Sequence, residues 1–378
     1  MSKLPQRVVD VPTLEHELNE LWERMTEVSS GEDEQAVMRA CVANLVVYSS
    51  GPDSIGETSQ IMAQVTNQHP SRVIVLIAEP DTLKPSLNAM VTAQCHPSGR
   101  GQKQICCEQI IIQAAGQEIG HLPSLVRSLV IADLPVFLWW RDSLDFQAAI
   151  FTGLVQSCDR VIIDSAGLPA AQEGLRTLVA LIEERAQVSA FSDLNWSRLT
   201  PWRVLVAGFF DAPECRPYLA RLDRVEVESS VRSSHEHSLP AESLLLAAWL
   251  ASRLKWKSTA KPRWIDEHTY QWELQAQDRT VMIQIKITSS ASGAGPGLNS
   301  LQLLVENEPS ARFSACIALD DQHLESHVTL EGKQEVARVI RFPDEDEAQL
   351  VSREMEILGH DKVYEQGLKW LDSNDSGR

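Results

Sequence analysis

The chain is short of positive charge. Lys and Arg number 34 against 52 Asp and Glu, which leaves a formal net charge of −18 over 378 residues. The acidic excess is spread along the chain, in stretches such as Gly31-Glu32-Asp33-Glu34 and Pro343-Asp344-Glu345-Asp346-Glu347. Nonspecific nucleic-acid binding and anchoring to an anionic membrane both run on basic surface, so this composition argues against both. Long apolar runs are also missing. None approaches a membrane span, and no basic segment followed by an apolar run and a small-residue cleavage site opens the sequence, so a cytoplasmic protein is expected. The seven cysteines are odd in number, scattered and mostly inside apolar runs, with no CxxC among them. That usage predicts reduced thiols that serve as small buried hydrophobes. Cys106 and Cys107 are adjacent; on a strand they point to opposite faces, so neither a metal site nor an easy disulfide is expected there.

Signatures of catalysis are equally scarce. A dehydrogenase or kinase needs a glycine-rich phosphate cradle between a strand and a helix, and the one glycine-dense segment, Gly293-Ala294-Gly295-Pro296-Gly297, lies between two predicted strands. It reads as a flexible connection. The Gly-x-Ser-x-Gly elbow is absent, and no cysteine sits beside a local histidine that would lower its pKa. His323 and His327 are four apart, but their neighbours Leu324, Val328 and Leu330 fit a strand, which separates them too far to share a metal. His235-Glu236-His237 falls in a Ser-rich polar loop and reads as solvated. Asp164-Ser165 closes a strand where doubly wound folds bind ligands, and its plainer reading is a strand-to-helix cap. No catalytic residue, cofactor or metal is expected, and no fixed-period repeat is present.

What is there is a chain long enough for about two domains. Leu14, Leu18, Leu21, Trp22 and Met25 make one apolar stripe on a leading amphipathic helix at residues 13–28. Apolar strands then alternate with helices: 41–48, 58–67 and 72–77 read as strand, helix and strand, the crossover unit of a parallel sheet. Residues 91–95 and 104–113 predict an antiparallel hairpin added to that sheet. Residues 135–140 and 160–164 add buried strands. The expected first domain is residues 1–188, a layered α/β unit with a mixed, mostly parallel sheet. From 189 the texture changes. Residues 201–210 and 241–255 are helical, a run of strands reads as an antiparallel sheet, and helices at 345–358 and 362–371 are expected to cover one face. The second domain, 189–378, is thus α+β.

Two clusters stand out. In Leu134-Pro135-Val136-Phe137-Leu138-Trp139-Trp140-Arg141-Asp142, a buried strand ends in adjacent tryptophans and a charge pair; alternation puts Trp139 and Trp140 on opposite faces, which therefore both need cover. The other is Asp193-Leu194-Asn195-Trp196-Ser197-Arg198-Leu199-Thr200-Pro201-Trp202-Arg203, at the start of the second domain. Tryptophan and arginine concentrate at the energetic centres of interfaces. Thr200-Pro201 is a helix start, with the Thr hydroxyl placed to cap and Pro suited to the first turn. Arg198 and Arg203 near helix N–H groups suit a phosphate or carboxylate. The competing reading is an internal brace, with Asp193 and Asn195 pairing to the arginines while the indoles fill a domain junction.

These two motifs, with His69-Pro70-Ser71-Arg72-Val73-Ile74-Val75 and Arg160-Val161-Ile162-Ile163-Asp164-Ser165, resemble the OpcA family of glucose-6-phosphate dehydrogenase assembly proteins, which occurs in cyanobacteria and actinobacteria. The similarity spans roughly residues 15–360. The resemblance implies a non-enzyme: an assembly factor and allosteric activator of glucose-6-phosphate dehydrogenase in the oxidative pentose phosphate pathway, binding and stabilising the active oligomer. Trp196, Arg198, Trp202 and Arg203 would then face the dehydrogenase. In cyanobacterial members the activation is linked to thioredoxin through cysteines, whereas here no cysteine follows Cys316. Two alternatives stay open: a sugar-phosphate-binding sensor or enzyme that uses the arginines at the Thr200-Pro201 helix start, and a structural scaffold.

Overall fold

Apolar runs bounded by turn residues set the first half of the chain. A computed structural model describes residues 11–28, 37–51, 54–97, 104–231, 239–289, 297–331, 333–342 and 345–375. It opens with α1 (Val11–Val28), then β1 (Val37–Arg39), β2 (Ala43–Ser50), α2 (Ser54–Gln68), β3 (Ser71–Glu79), β4 (Ser86–Pro97) and β5 (Gln104–Ala115). Next come α3 (Leu122–Leu129), β6 (Val136–Trp140), α4 (Ala149–Val155), β7 (Arg160–Ile163), α5 (Ala171–Arg185) and β8 (Ala190–Asp193). Sheet order is β1-β5-β3-β2-β6-β7-β8. Every pairing along it is parallel. β4 folds back antiparallel on β5, as the hairpin reading predicts. β2, β3, β6 and β7 are buried almost end to end, because a parallel sheet covered on both faces leaves no side for polar alternation.

The second half is built on alternation. It contains α6 (Leu194–Arg198), α7 (Thr200–Gly208), α8 (Arg216–Leu219), β9 (Arg224–Val231), α9 (Ala241–Arg253), β10 (Lys257–Ser258), β11 (Arg263–Trp264), β12 (Thr269–Ala276) and β13 (Arg279–Ser289). These are followed by β14 (Gly297–Val305), β15 (Ala311–Ile317), β16 (His323–Leu330), β17 (Lys333–Arg341), α10 (Glu347–Met355) and α11 (Lys362–Asp375). Sheet order is β10-β12-β13-β9-β14-β15-β16-β17, with β11 on β12. The sheet is antiparallel except for one pairing that the strand pattern does not reveal: β9 and β13 run parallel, because α9 and the two short strands after it carry the chain back before β13 is laid down. Strands such as β16 alternate strictly between half-buried and buried residues, the mark of a sheet with one covered face.

By contacts the chain forms two units, each assembled from separate stretches. One unit comprises residues 1–164, 182–194 and 346–360; the other comprises 165–181, 195–345 and 361–378. The physical reason is α10. Its Ala348, Leu350, Val351 and Met355 pack into the core that Leu45, Val47, Val75 and Trp139 form with Met62 and Val65 of α2. An amphipathic helix goes where its apolar face is best buried, and this one belongs to the first sheet. α11 belongs to the second unit, where the Trp370 indole donates to the Trp256 carbonyl at 2.6 Å.

The expectation of reduced thiols is corrected at one place: Cys95 and Cys106 form a disulfide. They are directly opposed across the β4–β5 ladder, with Cα atoms 4.0 Å apart. Hairpin register, which spacing along the chain does not show, brings them together. Cys41, Cys107, Cys158, Cys215 and Cys316 are not disulfide-bonded. Burial pushes the Cys158 thiol well above its ordinary range, with Asp159 adding to the effect.

Candidate functional site

The motif from Asp193 to Arg203 begins at the last residue of β8 and runs through α6 into α7. Its tryptophans are not on the surface: Trp196 is 4% and Trp202 2% exposed, so neither ring offers area to a partner. Trp196 Nε1 donates to Asp361 Oδ2 at 2.8 Å. The other Asp361 oxygen accepts the backbone N–H groups of Val363 and Tyr364 at 2.9 and 3.0 Å, so one carboxylate holds the indole and the start of α11. The Tyr364 ring lies 5.5 Å from the indole. On α7, the Arg203 guanidinium carbon sits 3.5 Å over the Trp196 ring. Arg203 Nη2 donates to Thr200 Oγ1 at 2.8 Å and to the Trp196 carbonyl at 3.3 Å. Asn195 is buried and donates to Ser165 Oγ at 3.1 Å. Asp193 is buried as well.

The helix start differs from the predicted one. α7 takes Leu199 as its N-cap, without a side-chain cap, so Thr200 and Pro201 are the first residues inside it. α6 leads into it through a single residue, and the Thr200 hydroxyl serves Arg203 rather than a free backbone N–H. Arg198, at the end of α6, lines a cleft of about 510 Å³ with Arg341, Asp320, Asp321, Phe342 and Glu345.

The second motif fills both faces of the first sheet, as alternation requires. Trp139 joins the core that α2 and α10 cover. Trp140, on the other face, stacks on Tyr48, its partner across β2 and β6, with ring centroids 3.9 Å apart, and meets Phe151 edge-on at 4.9 Å. Arg141 lies 4.9 Å over the Trp139 ring. It donates to Thr58 Oγ1 and Glu347 Oε2, both at 2.8 Å, and to Glu57 Oε1 at 3.3 Å. The position is informative. β2 lies between β3 and β6, so the chain reverses direction across the sheet there, and open α/β sheets bind ligands at the carboxyl ends of such strands. Arg141 and its carboxylates occupy that place. Burial pushes the Tyr48 hydroxyl up to about 12, with Asp142 adding to it.

Other candidates are placed plainly. Ser165 opens a short 3-10 turn and its hydroxyl accepts from Asn195. His323 and His327 both lie on β16; His323 Nδ1 is 2.6 Å from Asp320 Oδ2, and His327 Nε2 is 3.7 Å from Glu325. The segment 293–296 and His235-Glu236-His237 lie outside the described residues.

Two buried charge clusters centre on Arg72 and Arg160, which belong to the motifs that carry the family resemblance but are not among the expected site residues. Arg72 heads an apolar strand, is 4% exposed, and donates to Glu108 and Glu15, both at 2.8 Å. Glu108, equally buried, also accepts the Trp22 indole N–H at 2.8 Å and pairs with Arg39, tying α1 to β3 and β5. Arg160, 1% exposed, meets Ser192 and the Gly359 carbonyl. The signal was present: a charged residue inside an apolar run has to find partners.

Two family models match the chain. One describes the glucose-6-phosphate dehydrogenase subunit N-terminal domain and matches residues 62–180; the other describes that subunit's C-terminal domain and matches 189–368. The chain is 31% identical over 201 residues to a candidate OxPP cycle protein OpcA of Nostoc punctiforme, covering 52% of this chain and 41% of that protein. A protein of the same description from Synechocystis is 30% identical over 203 residues, covering 53% and 40%. One from Synechococcus elongatus is 26% identical over 313 residues, covering 80% and 67%. The match thus spans about two fifths of the first two relatives. Among solved structures, an oxidoreductase from Sinorhizobium meliloti is similar at 10% identity and a TM-score of 0.49, covering 89% of this chain and 99% of that one.

Proposed function

This chain belongs to the OpcA family, and we propose that it is a non-catalytic assembly factor that binds glucose-6-phosphate dehydrogenase and holds it in its assembled, active form. One observation carries the reading: both family models, over most of the chain, are those of a subunit of that dehydrogenase. A protein that binds the active state of an enzyme more tightly than the inactive state shifts the population by that difference in affinity, with no chemistry of its own. The dehydrogenase then gains activity within the oxidative pentose phosphate pathway. The Arg141 ion pairs at the carboxyl ends of β2 and β6 support a non-catalytic role, since the usual ligand crevice of such a sheet is spent on internal contacts.

In this reading the tryptophan motifs build the body that binds, and the contact surface lies elsewhere. A thioredoxin link would act on the Cys95–Cys106 bond, which Cys95 leaves partly exposed. The test mixes the purified chain with the dehydrogenase of the same organism, follows assembly by light scattering and measures kinetics with and without the chain. A larger assembly with a lower apparent KM is expected. Unchanged kinetics, or turnover of glucose 6-phosphate by the chain alone, defeats the proposal.

The cleft lined by Arg198 and Arg341 favours a second reading, a sugar-phosphate sensor. Asp320, Asp321 and Glu345 in the same wall weigh against an anion. Calorimetric titration with glucose 6-phosphate in the absence of the dehydrogenase separates the two, because the assembly factor gives no heat.

A further inference from the structure

Among the described residues β4 has one strand neighbour, β5, to which the Cys95–Cys106 bond ties it near its end. Directly opposed residues of an antiparallel pair share a face, and faces alternate along a strand, so Cys95, Cys106 and Glu108 lie on one face of the sheet. Arg39 is there too, because it pairs with Cys106 across β1 and β5 and reaches Glu108. α1 packs on β4 and covers this face. The Trp22 ring lies 5.5 Å from the Arg39 guanidinium carbon, and its indole N–H donates to Glu108 at 2.8 Å. One side chain of the helix thus grips both residues that flank Cys106. Buried Leu14 and Leu18, with Glu15 on Arg72 at 2.8 Å, hold the rest of α1.

Thiol–disulfide exchange depends on which sulfur a thiolate can reach and on how well the other sulfur leaves. Cys106 is fully buried and Cys95 half-buried, so attack falls on Cys95 and Cys106 is the leaving group. With α1 docked, that leaving thiolate would form away from water and next along the face from the Glu108 carboxylate. Arg39 and Arg72 lend it no spare positive charge, since Glu108 and Glu15 already pair with them. A thiolate in such a place is disfavoured, and lifting α1 admits the water and proton it needs. The neighbouring thiol of Cys107 cannot serve as attacker. It points to the other face, toward the carbonyls of Ala40 and Thr66.

We propose that α1 is a releasable cover that gates the Cys95–Cys106 bond: an external dithiol cuts the bond when α1 lifts, and the cut bond in turn loosens α1. A thiolate of the dithiol attacks Cys95 Sγ, a mixed disulfide forms as the Cys95–Cys106 bond breaks, and Cys106 leaves as a thiolate that takes a proton. The second thiol of the reductant then displaces Cys95, which leaves as a thiol. Two electrons pass to the chain and the reductant closes into an internal disulfide. Without the bond, β4 is held by its ladder alone, so α1 loses a fixed platform. The coupling is reciprocal, because a helix that favours the bonded hairpin is itself favoured by the bond. The gate stands on the first unit's geometry, whatever the chain binds.

The test reacts the oxidised full chain with dithiothreitol, traps thiols by alkylation at intervals, and follows the Cys95 and Cys106 peptides by mass spectrometry. Trp22→Ala and Leu18→Ala each loosen α1 and are expected to speed reduction about tenfold or more. In the wild-type chain the rate should rise only weakly with low urea, because lifting one helix exposes little surface. Amide exchange along α1 should be about tenfold faster in the reduced chain than in the oxidised one. Variants reduced at the wild-type rate overturn the gate. So does a wild-type rate that climbs with urea as steeply as global unfolding, a readout that needs no variant to fold. Equal α1 exchange in both redox states overturns the coupling, and seven reactive thiols in the untreated chain remove the bond and the proposal with it.

Discussion

The Arg203 guanidinium sits 3.5 Å over the Trp196 indole, whose N–H is held by Asp361 at 2.8 Å. Adjacent α6 and α7 converge on one ring with the start of α11, which lies 165 positions from Trp196, so the tryptophan and arginine pair of the motif forms an internal junction of the second unit. Replacing Trp202, or Trp196 itself, by Ala is expected to cost about 3–5 kcal/mol by denaturant unfolding, since each removes a buried indole and leaves a cavity. Arg203→Lys keeps the charge but loses the planar stack, with an expected cost of about 0.5–2 kcal/mol. A Trp202→Ala chain of wild-type stability contradicts the burial described here.

The Arg72–Glu108 pair makes a larger stake of a single charge. Both residues are 4% exposed, so removing Glu108 leaves Arg72 buried with Glu15 as its remaining carboxylate and strands the Trp22 indole and Arg39 as well. Glu108→Gln is expected to lower stability by about 3–5 kcal/mol. Arg72→Met in the otherwise wild-type chain should cost a comparable amount, because Glu108 then keeps only Arg39 and the Trp22 indole, and comparing the unfolding midpoints checks it.

Thiol counting tests the disulfide. Unfolded without reductant, the chain should titrate five thiols, and after reduction all seven. Closing a loop with a sequence separation of 11 is worth roughly 3 kcal/mol on the chain-entropy account, so reduction or Cys95→Ser should lower the Tm. Seven reactive thiols in the untreated chain would rule the bond out.

Tyr48 sets a high-pH limit. Its folded pKa, pushed up to about 12 by burial, exceeds the ordinary value of 10.0, so the folded state keeps a proton that the unfolded state loses. The Tyr48 contribution to stability is present in full below about pH 10 and is lost as pH rises through about 12. Tyrosinate absorbance on raising the pH should show Tyr48 ionising late, and the Tyr48→Phe chain should lose that late step.

Much of the fold was legible along the chain. The apolar strands 135–140 and 160–164 announced buried strands of a covered sheet, and the run of strands after 241–255 announced an antiparallel one. Adjacent tryptophans at 139 and 140 required cover on both sides, and both received it. The site was less legible. A Trp/Arg-rich segment reads alike whether its rings face a partner or a core, because side-chain chemistry suits both and only burial separates them.

The amino-acid sequence by itself determined the element types, the acidic character and the family, because periodicity, composition and motif are local or additive properties. Tertiary structure alone decided which residues meet. Asp361 reaches Trp196 across 165 positions, Cys95 faces Cys106 through hairpin register, and α10 returns to the first sheet although it follows the second. Each depends on where an apolar face finds its best burial or a buried polar group its partner, and those are properties of the whole packed chain.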